Sequence, residues 1–285
     1  MKKALSFSLA LALLLALASC GFFGNADKKI TVITREDGSG TRSAFVELFG
    51  ISEKDTDGKS TDATIDTAET VNNTGGVMVS VAGDPDSIAY ISLGSLNGTV
   101  RALSIDGVTP TVAAVRDGSY TIQRPFNILT KGELSAAAQD FADFIMSREG
   151  QAVVADNGYI PMETTREYAG TKSAGKITID GSSSVAPLME KLIEAYEKLN
   201  PGAQIEPNTS DSTTAVQSTV NGTCNIGMSS RGLKDGELAQ GARETQIAAD
   251  GIVVIVNKNR TLTDASREQI KAIYSGEITK WSELE

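Results

Sequence analysis

Apolar and polar positions recur with two periods along this 285-residue chain. Short runs rich in β-branched residues predict strands at Ile30–Thr34, Ser87–Ser92, Phe126–Thr130, Lys176–Asp180, Ala203–Glu206, Asn225–Met228 and Gly251–Asn257. The last is apolar almost throughout and reads as a strand buried on both faces. Shorter strands are expected at 100–105 and 108–112, around Asp106-Gly107. Helical spacing appears at 43–49, with Phe45, Leu48 and Phe49 on one face, and at 135–147, with Ala138, Phe141, Ala142, Phe144 and Ile145 inward. It is strongest at 185–199, where Val185, Leu188, Met189, Leu192, Ile193, Tyr196 and Leu199 form one stripe ended by Asn200-Pro201-Gly202. Further helices are predicted at 213–220 and 266–274. Residues 52–75 read as loop with a helical piece, and 163–175 lose all periodicity and read as a linker. Strands alternating with helices indicate an α/β architecture with mixed, mainly parallel sheets.

Two turns stand out, each closing a strand and opening a helix: Arg35-Glu-Asp-Gly-Ser-Gly-Thr41 and Gly181-Ser-Ser-Ser-Val-Ala-Pro187. Backbone N–H groups in the first turn of a helix lack intrahelical partners, and the helix dipole favours an anion there. Two such half-cradles suggest a clamp for a small oxyanion. Each residue also has a plainer reading: Ser39, Thr41, Ser183 and Ser212 suit helix N-caps, and Arg35 a surface ion pair.

The start of the chain changes the compartment. Lys2 and Lys3 precede an apolar run over 4–18, and Leu17-Ala18-Ser19-Cys20 has the pattern of a lipobox. Residues 1–19 are therefore expected to be a lipoprotein signal peptide, Cys20 the lipidated N-terminus and 20–28 a tether. That places the body on the outer face of the cytoplasmic membrane, lipid-anchored. The only other cysteine is Cys224, so acylation of Cys20 leaves no disulfide. The net charge is −10, and loss of Lys2 and Lys3 with the leader makes it −12. With no basic run, nucleic acid is not an expected partner. A phosphatase is disfavoured as well. The chain has no His, no Cys/Asp/Glu group at metal-ligand spacing and no Gly-x-Ser-x-Gly elbow, so neither an enzyme nor a metal or cofactor is expected.

Seven stretches together resemble the phosphate-binding lipoproteins of ABC phosphate transporters. They are 34–42 (TREDGSGTR), 89–92 (AYIS), 149–151 (EGQ) with 158–161 (GYIP), 177–189 (ITIDGSSSVAPLM), 225–231 (NIGMSSR), 250–256 (DGIVVIV) and 273–281 (IYSGEITKW). In that family the Gly-Ser-Ser-Ser motif comes first; here it comes second. The resemblance therefore implies an α/β, two-lobed periplasmic-binding-protein-like (type II) fold, circularly permuted. One lobe would combine 29–124 with 257–285 and the other span 125–256, with crossovers near 123–125 and 256–258. A fragment of a tandem protein or a domain-swapped form is the alternative.

By the same resemblance the ligand-binding set is Arg35, Asp37, Ser39, Gly40 and Thr41 from one lobe, and Ser183, the Ser184 N–H, Ser212 and Ser230 from the other. Asp37 would orient Arg35 or accept a proton from monohydrogen phosphate. The implied function is capture of inorganic phosphate and delivery to the transmembrane subunits of an ABC permease, by a monomer. Family members often have a Gly-rich stretch where this chain has Ser210-Asp-Ser-Thr-Thr214, and some have Asp where it has Ser230. Sulfate, molybdate or a phosphonate therefore stay open as ligands, as does a surface sensor or adhesion protein that keeps the fold without transport.

Overall fold

A computed structural model describes residues 28–54 and 60–284. The expected leader, Cys20 and the tether as far as Asp27 lie outside the described residues. Ten strands form one sheet. Its main path runs Ala203–Ser210, Gly175–Ser182, Ile226–Ser229, Gln123–Lys131, Ala242–Asn257, Ser87–Ser92, Thr31–Arg35, Glu69–Val71. The strands at each flank pair in parallel. The centre is antiparallel, because Gln123–Lys131 and Ala242–Asn257 run against their neighbours and against each other. The sheet is mixed, but not mainly parallel as the pattern suggested.

Ala242–Asn257 ties the two halves together. Residues 242–251 of this 16-residue strand pair with 123–131, and residues 252–256 pair with 88–92. Apolar side chains sort accordingly. Phe126, Phe141, Tyr196, Ile179, Ile226 and Ile247 share one core, whereas Val32, Phe45, Tyr90, Ile252, Val254 and Tyr274 share another. Alternate residues of the same strands, Ile33, Ala89, Val253 and Ile255, face the opposite side and pack on Val77 and Val81 of the helix Thr74–Gly83. Each half thus has helices on both faces of its part of the sheet. The pairing partner of Ala242–Asn257 changes between Gly251 and Ile252, upstream of 256–258. The run 252–256 belongs to the Arg35 half because it is buried in that half's core.

Smaller departures have simple causes. The described part of residues 52–75 is mostly strand, Ser52–Lys54 paired with Ser60–Asp62 and then Glu69–Val71, and the helix Thr74–Gly83 begins at its end. The strand expected at 108–112 is a single bridge, Ile105 to Val108, after which Thr111 caps the helix Val112–Arg116.

Residues 162–174 contain no regular element but are fastened down. The buried Asp140 carboxylate accepts from Tyr168 Oη, Tyr196 Oη and the Thr171 amide, each at 2.8 Å. Burial disfavours that carboxylate, but the bonds from Tyr168, Tyr196 and Thr171 outweigh it and hold its pKa below the ordinary value. The two ends of the described chain are stitched together. Lys29 bridges Lys280 in antiparallel fashion, Ile30 N donates to Thr279 O at 2.8 Å, and Trp281 N donates to Lys28 O at 3.1 Å. The Trp281 indole donates to Asp86 O and lies under the Arg260 guanidinium, 4.2 Å from ring centroid.

Candidate anion site

The parallel strands of both halves point their carboxyl ends at one cleft, the usual ligand position in α/β sheets. Thr31–Arg35 delivers Arg35, and Gly175–Ser182 delivers residues 182–184. Ile226–Ser229 delivers Ser230, and Ala203–Ser210 leads into the helix Ser212–Asn221. At Gly181 φ is 142° and a Cβ would run into the backbone of Met228, so only glycine fits between the adjacent strands.

Arg35 is 2% exposed. Its guanidinium is held from behind by the Glu36 carboxylate through two bonds, Nη2 to Oε1 at 2.6 Å and Nε to Oε2 at 2.8 Å. Its backbone is fixed by Tyr90, whose hydroxyl accepts from Arg35 N at 3.2 Å and pairs with Thr34 Oγ1 at 2.8 Å. Burial pushes the Tyr90 phenol up to about 12, so it stays neutral. From there Arg35 crosses the cleft: Nη2 donates to Ser183 Oγ at 3.1 Å. Asp37 does not take part. Its side chain is 96% exposed and pairs with Arg42 at 2.7 Å. The carboxylate that orients Arg35 is the neighbouring Glu36.

The hydroxyls meet across the cleft. Thr41 Oγ1 lies 2.8 Å from Ser184 Oγ, and Thr74 Oγ1 lies 3.2 Å from Ser184 Oγ and 3.4 Å from Ser183 Oγ. Ser182 Oγ donates to Ser230 Oγ at 2.9 Å, and the Ser230 amide donates to Ser212 Oγ at 3.0 Å. Gly40 sits against this pair: a Cβ there would strike both the Ser212 and Ser230 hydroxyls. One backbone bond also spans the halves, Thr213 N to Gly38 O at 3.2 Å.

The capping chemistry decides between the two readings of the serines. Ser39 is an N-cap: its hydroxyl accepts from Arg42 N at 3.3 Å. Thr41 is not; it lies inside the first turn of Gly40–Phe49. The helix Ala186–Leu199 is capped by Val185, without a side-chain bond and with Pro187 in its first turn. The helix Ser212–Asn221 is capped by Asp211, which takes the amides of Thr213 and Thr214 at 2.8 and 2.9 Å. Ser183 and Ser212 are therefore free of capping duty. The Ser184 amide, expected as an anion donor, is spent on Ser182 Oγ at 3.3 Å, and it is the Ser184 hydroxyl that faces the cleft.

A hydroxyl carries one proton and accepting lone pairs. In this cleft the accepting sides are filled by groups that can only donate: Arg35 and the Thr74 amide on Ser183, and the Ser230 amide on Ser212. Their protons are left to be given away, and the ligand such a cluster suits is an oxyanion. The nearby acids are already engaged. Glu36 is taken by Arg35. Asp250 accepts from Ser92 Oγ at 3.0 Å, from Gly94 N at 3.3 Å and from Arg124, 3.2 Å away. Burial pushes the Asp250 carboxyl up and the Arg124 guanidinium down from their ordinary values, each against the pull of the other.

Five of these residues were not anticipated. Glu36 lies beside Arg35, and Ser182 is within the serine run, so local signals existed for both. Thr74 follows the capping Asn73 in a Gly-rich helix start. Arg124 and Asp250 are brought together only by strand register.

Comparison with known proteins places the chain in a family. The PBP superfamily domain profile matches residues 18–149 and 166–285. The chain is 47% identical over 271 residues to the phosphate-binding protein PstS 2 of Streptococcus agalactiae serotype V, covering 94% of this chain and 92% of that protein. The chain belongs to the PBP superfamily, among the PstS phosphate-binding proteins. A crystal structure of a phosphate ABC transporter phosphate-binding protein from Streptococcus pneumoniae TIGR4 superposes with a TM-score of 0.70. It is 43% identical and is matched over 90% of this chain and 100% of its own. The PstS of Bacillus subtilis matches differently: 36% identity over 155 residues, 53% of this chain and 48% of that one.

Proposed function

We propose that this PstS-family chain captures inorganic phosphate between its two halves and delivers it to the membrane subunits of an ABC permease. The observation that carries the reading is the cluster of buried cleft hydroxyls with donor-only groups behind them, beside the buried Arg35. A tetrahedral anion stripped of water needs many hydrogen bonds, since an unpaired buried charge is very costly. The names of the two streptococcal relatives support phosphate as the cargo. With the acids of the cleft occupied, capture without chemistry is the reading, and the chain acts as a carrier and not an enzyme. The lipobox supports attachment through Cys20 to the outer face of the cytoplasmic membrane, beside the permease. The ligand set is Arg35, Gly40, Thr41, Thr74, Ser183, Ser184, Ser212 and Ser230, with Ser39 as the cap that holds the 35–41 turn.

Calorimetric titration with phosphate and with sulfate, each at two pH values, tests this. Saturable phosphate binding is expected. Absence of both heat and thermal shift at millimolar phosphate would favour a sensor or adhesion role that keeps the fold. Tighter sulfate than phosphate binding would change the cargo.

The order of the halves is read as a circular permutation. Two observations support it: the described ends are stitched together at Lys28–Lys29 and Lys280–Trp281, and the match to the Bacillus subtilis PstS stops at about half of each chain. A recut chain, joined across that seam and opened within 162–174, should fold and bind phosphate as the original does. A recut chain that stays unfolded counts against the permutation.

A further inference from the structure

Arg124 lies on one central strand and Asp250 directly opposite on the other, in register. Both are almost wholly buried. Arg124 Nη2 and Nε contact Asp250 Oδ2 at 3.2 and 3.4 Å, while Oδ1 is held by Ser92 and Gly94 at the end of the strand Ser87–Ser92. The guanidinium is thus fixed where the halves join. Its remaining arm reaches the cleft: Nη1 donates to Thr41 Oγ1 at 2.6 Å. A buried ion pair of this kind contributes little net stability compared with apolar residues of the same volume, so stability alone is a weak reason for it.

Thr41 makes the case for a functional role. Its hydroxyl has one proton, and arginine can only donate. The bond from Arg124 therefore fills an accepting side of Thr41 Oγ1 and leaves its proton to go forward, towards Ser184 Oγ at 2.8 Å and the cleft. Arg35 does the same for Ser183 from the opposite wall. We propose that Arg124, braced by Asp250, is a positioning residue of the anion site that orients the Thr41 hydroxyl to donate its proton to the bound oxyanion. The proposal rests on the anion-binding reading of the cleft. It adds a second arginine, one that acts through Thr41 and not by direct contact.

The test is a double-mutant cycle read by calorimetry with inorganic phosphate on the full mature chain. Thr41→Val and Arg124→Met should each weaken binding about tenfold, and the double variant should be within about threefold of either single, because both remove the same donated proton. Arg124→Lys, which also only donates, should stay within about threefold of wild type, a rescue that a purely structural role does not require. If Arg124→Met fails to fold by circular dichroism, the pair Arg124→Gln with Asp250→Asn replaces both charges by neutral carboxamides, the shorter Gln withdrawing from Thr41. It should lose several-fold in affinity, again without further loss on adding Thr41→Val. Losses that multiply, or wild-type affinity in Arg124→Met or in the neutral pair, overturn the proposal. A wild-type chain that binds sulfate or molybdate in place of phosphate overturns only the cargo, and the cycle is then read with that anion. A wild-type chain that binds none of them overturns both.

Discussion

The turns at 35–41 and 181–187 look alike in sequence: each is Gly/Ser-rich, ends a strand and opens a helix. They do different work. The first supplies the charge. Its Ser39 is used up as an N-cap, and its contribution to the cleft is Arg35, the Thr41 hydroxyl and the close approach of Gly40. The second supplies hydroxyls. None of its three serines caps the helix Ala186–Leu199, and all three face other hydroxyls or Arg35. A serine at a helix start is available to a ligand only when something else does the capping, and in this half Val185 with Pro187, and Asp211 further on, release Ser183 and Ser212 from it.

If the division into a charge turn and a hydroxyl turn is right, substitutions in the two should not be equivalent. Arg35→Ala should have the largest effect, a loss of phosphate affinity of about 1,000-fold, since truncating one partner of a buried charged contact costs roughly 2–5 kcal/mol. An affinity within tenfold of wild type in calorimetry would remove the charge from this turn. Next is Gly40→Val. Its added methyls meet the Ser212 and Ser230 hydroxyls, and overpacking of about 1–3 kcal/mol predicts roughly 10–100-fold weaker binding. Small-angle scattering should show the variant failing to compact with phosphate; normal compaction would mean that Gly40 is not where the halves meet. Ser183→Ala is expected to be mildest, about tenfold weaker, the worth of one hydrogen bond to a charged group. A loss as large as that of Arg35→Ala would erase the distinction between the turns.

Much of this is legible in the sequence alone. β-Branched runs located most strands, and the stripe from Val185 to Leu199 located the longest helix. What was hidden follows from where the information sits. In Ala242–Asp250 the consecutive residues Arg243, Glu244, Thr245 and Gln246 are polar and exposed, so only the apolar second part of the strand reads as buried. The helix Thr74–Gly83 is rich in glycine and valine, residues with low helix propensity, and forms because Val77 and Val81 pack on the sheet. The family resemblance singles out Asp37, but the adjacent Glu36 closes on Arg35 directly, and Asp37 faces outward to Arg42. Arg124 and Asp250 are 126 positions apart, and nothing local to either announces the partner. Long-range register is the one part of the site that short motifs do not carry.

The seam at Lys28 and Trp281 adjoins the strand Thr31–Arg35, so the chain enters the folded body on the arginine side. Were that end held from outside, the arginine would be the anvil and the serine-bearing half the jaw left free to swing.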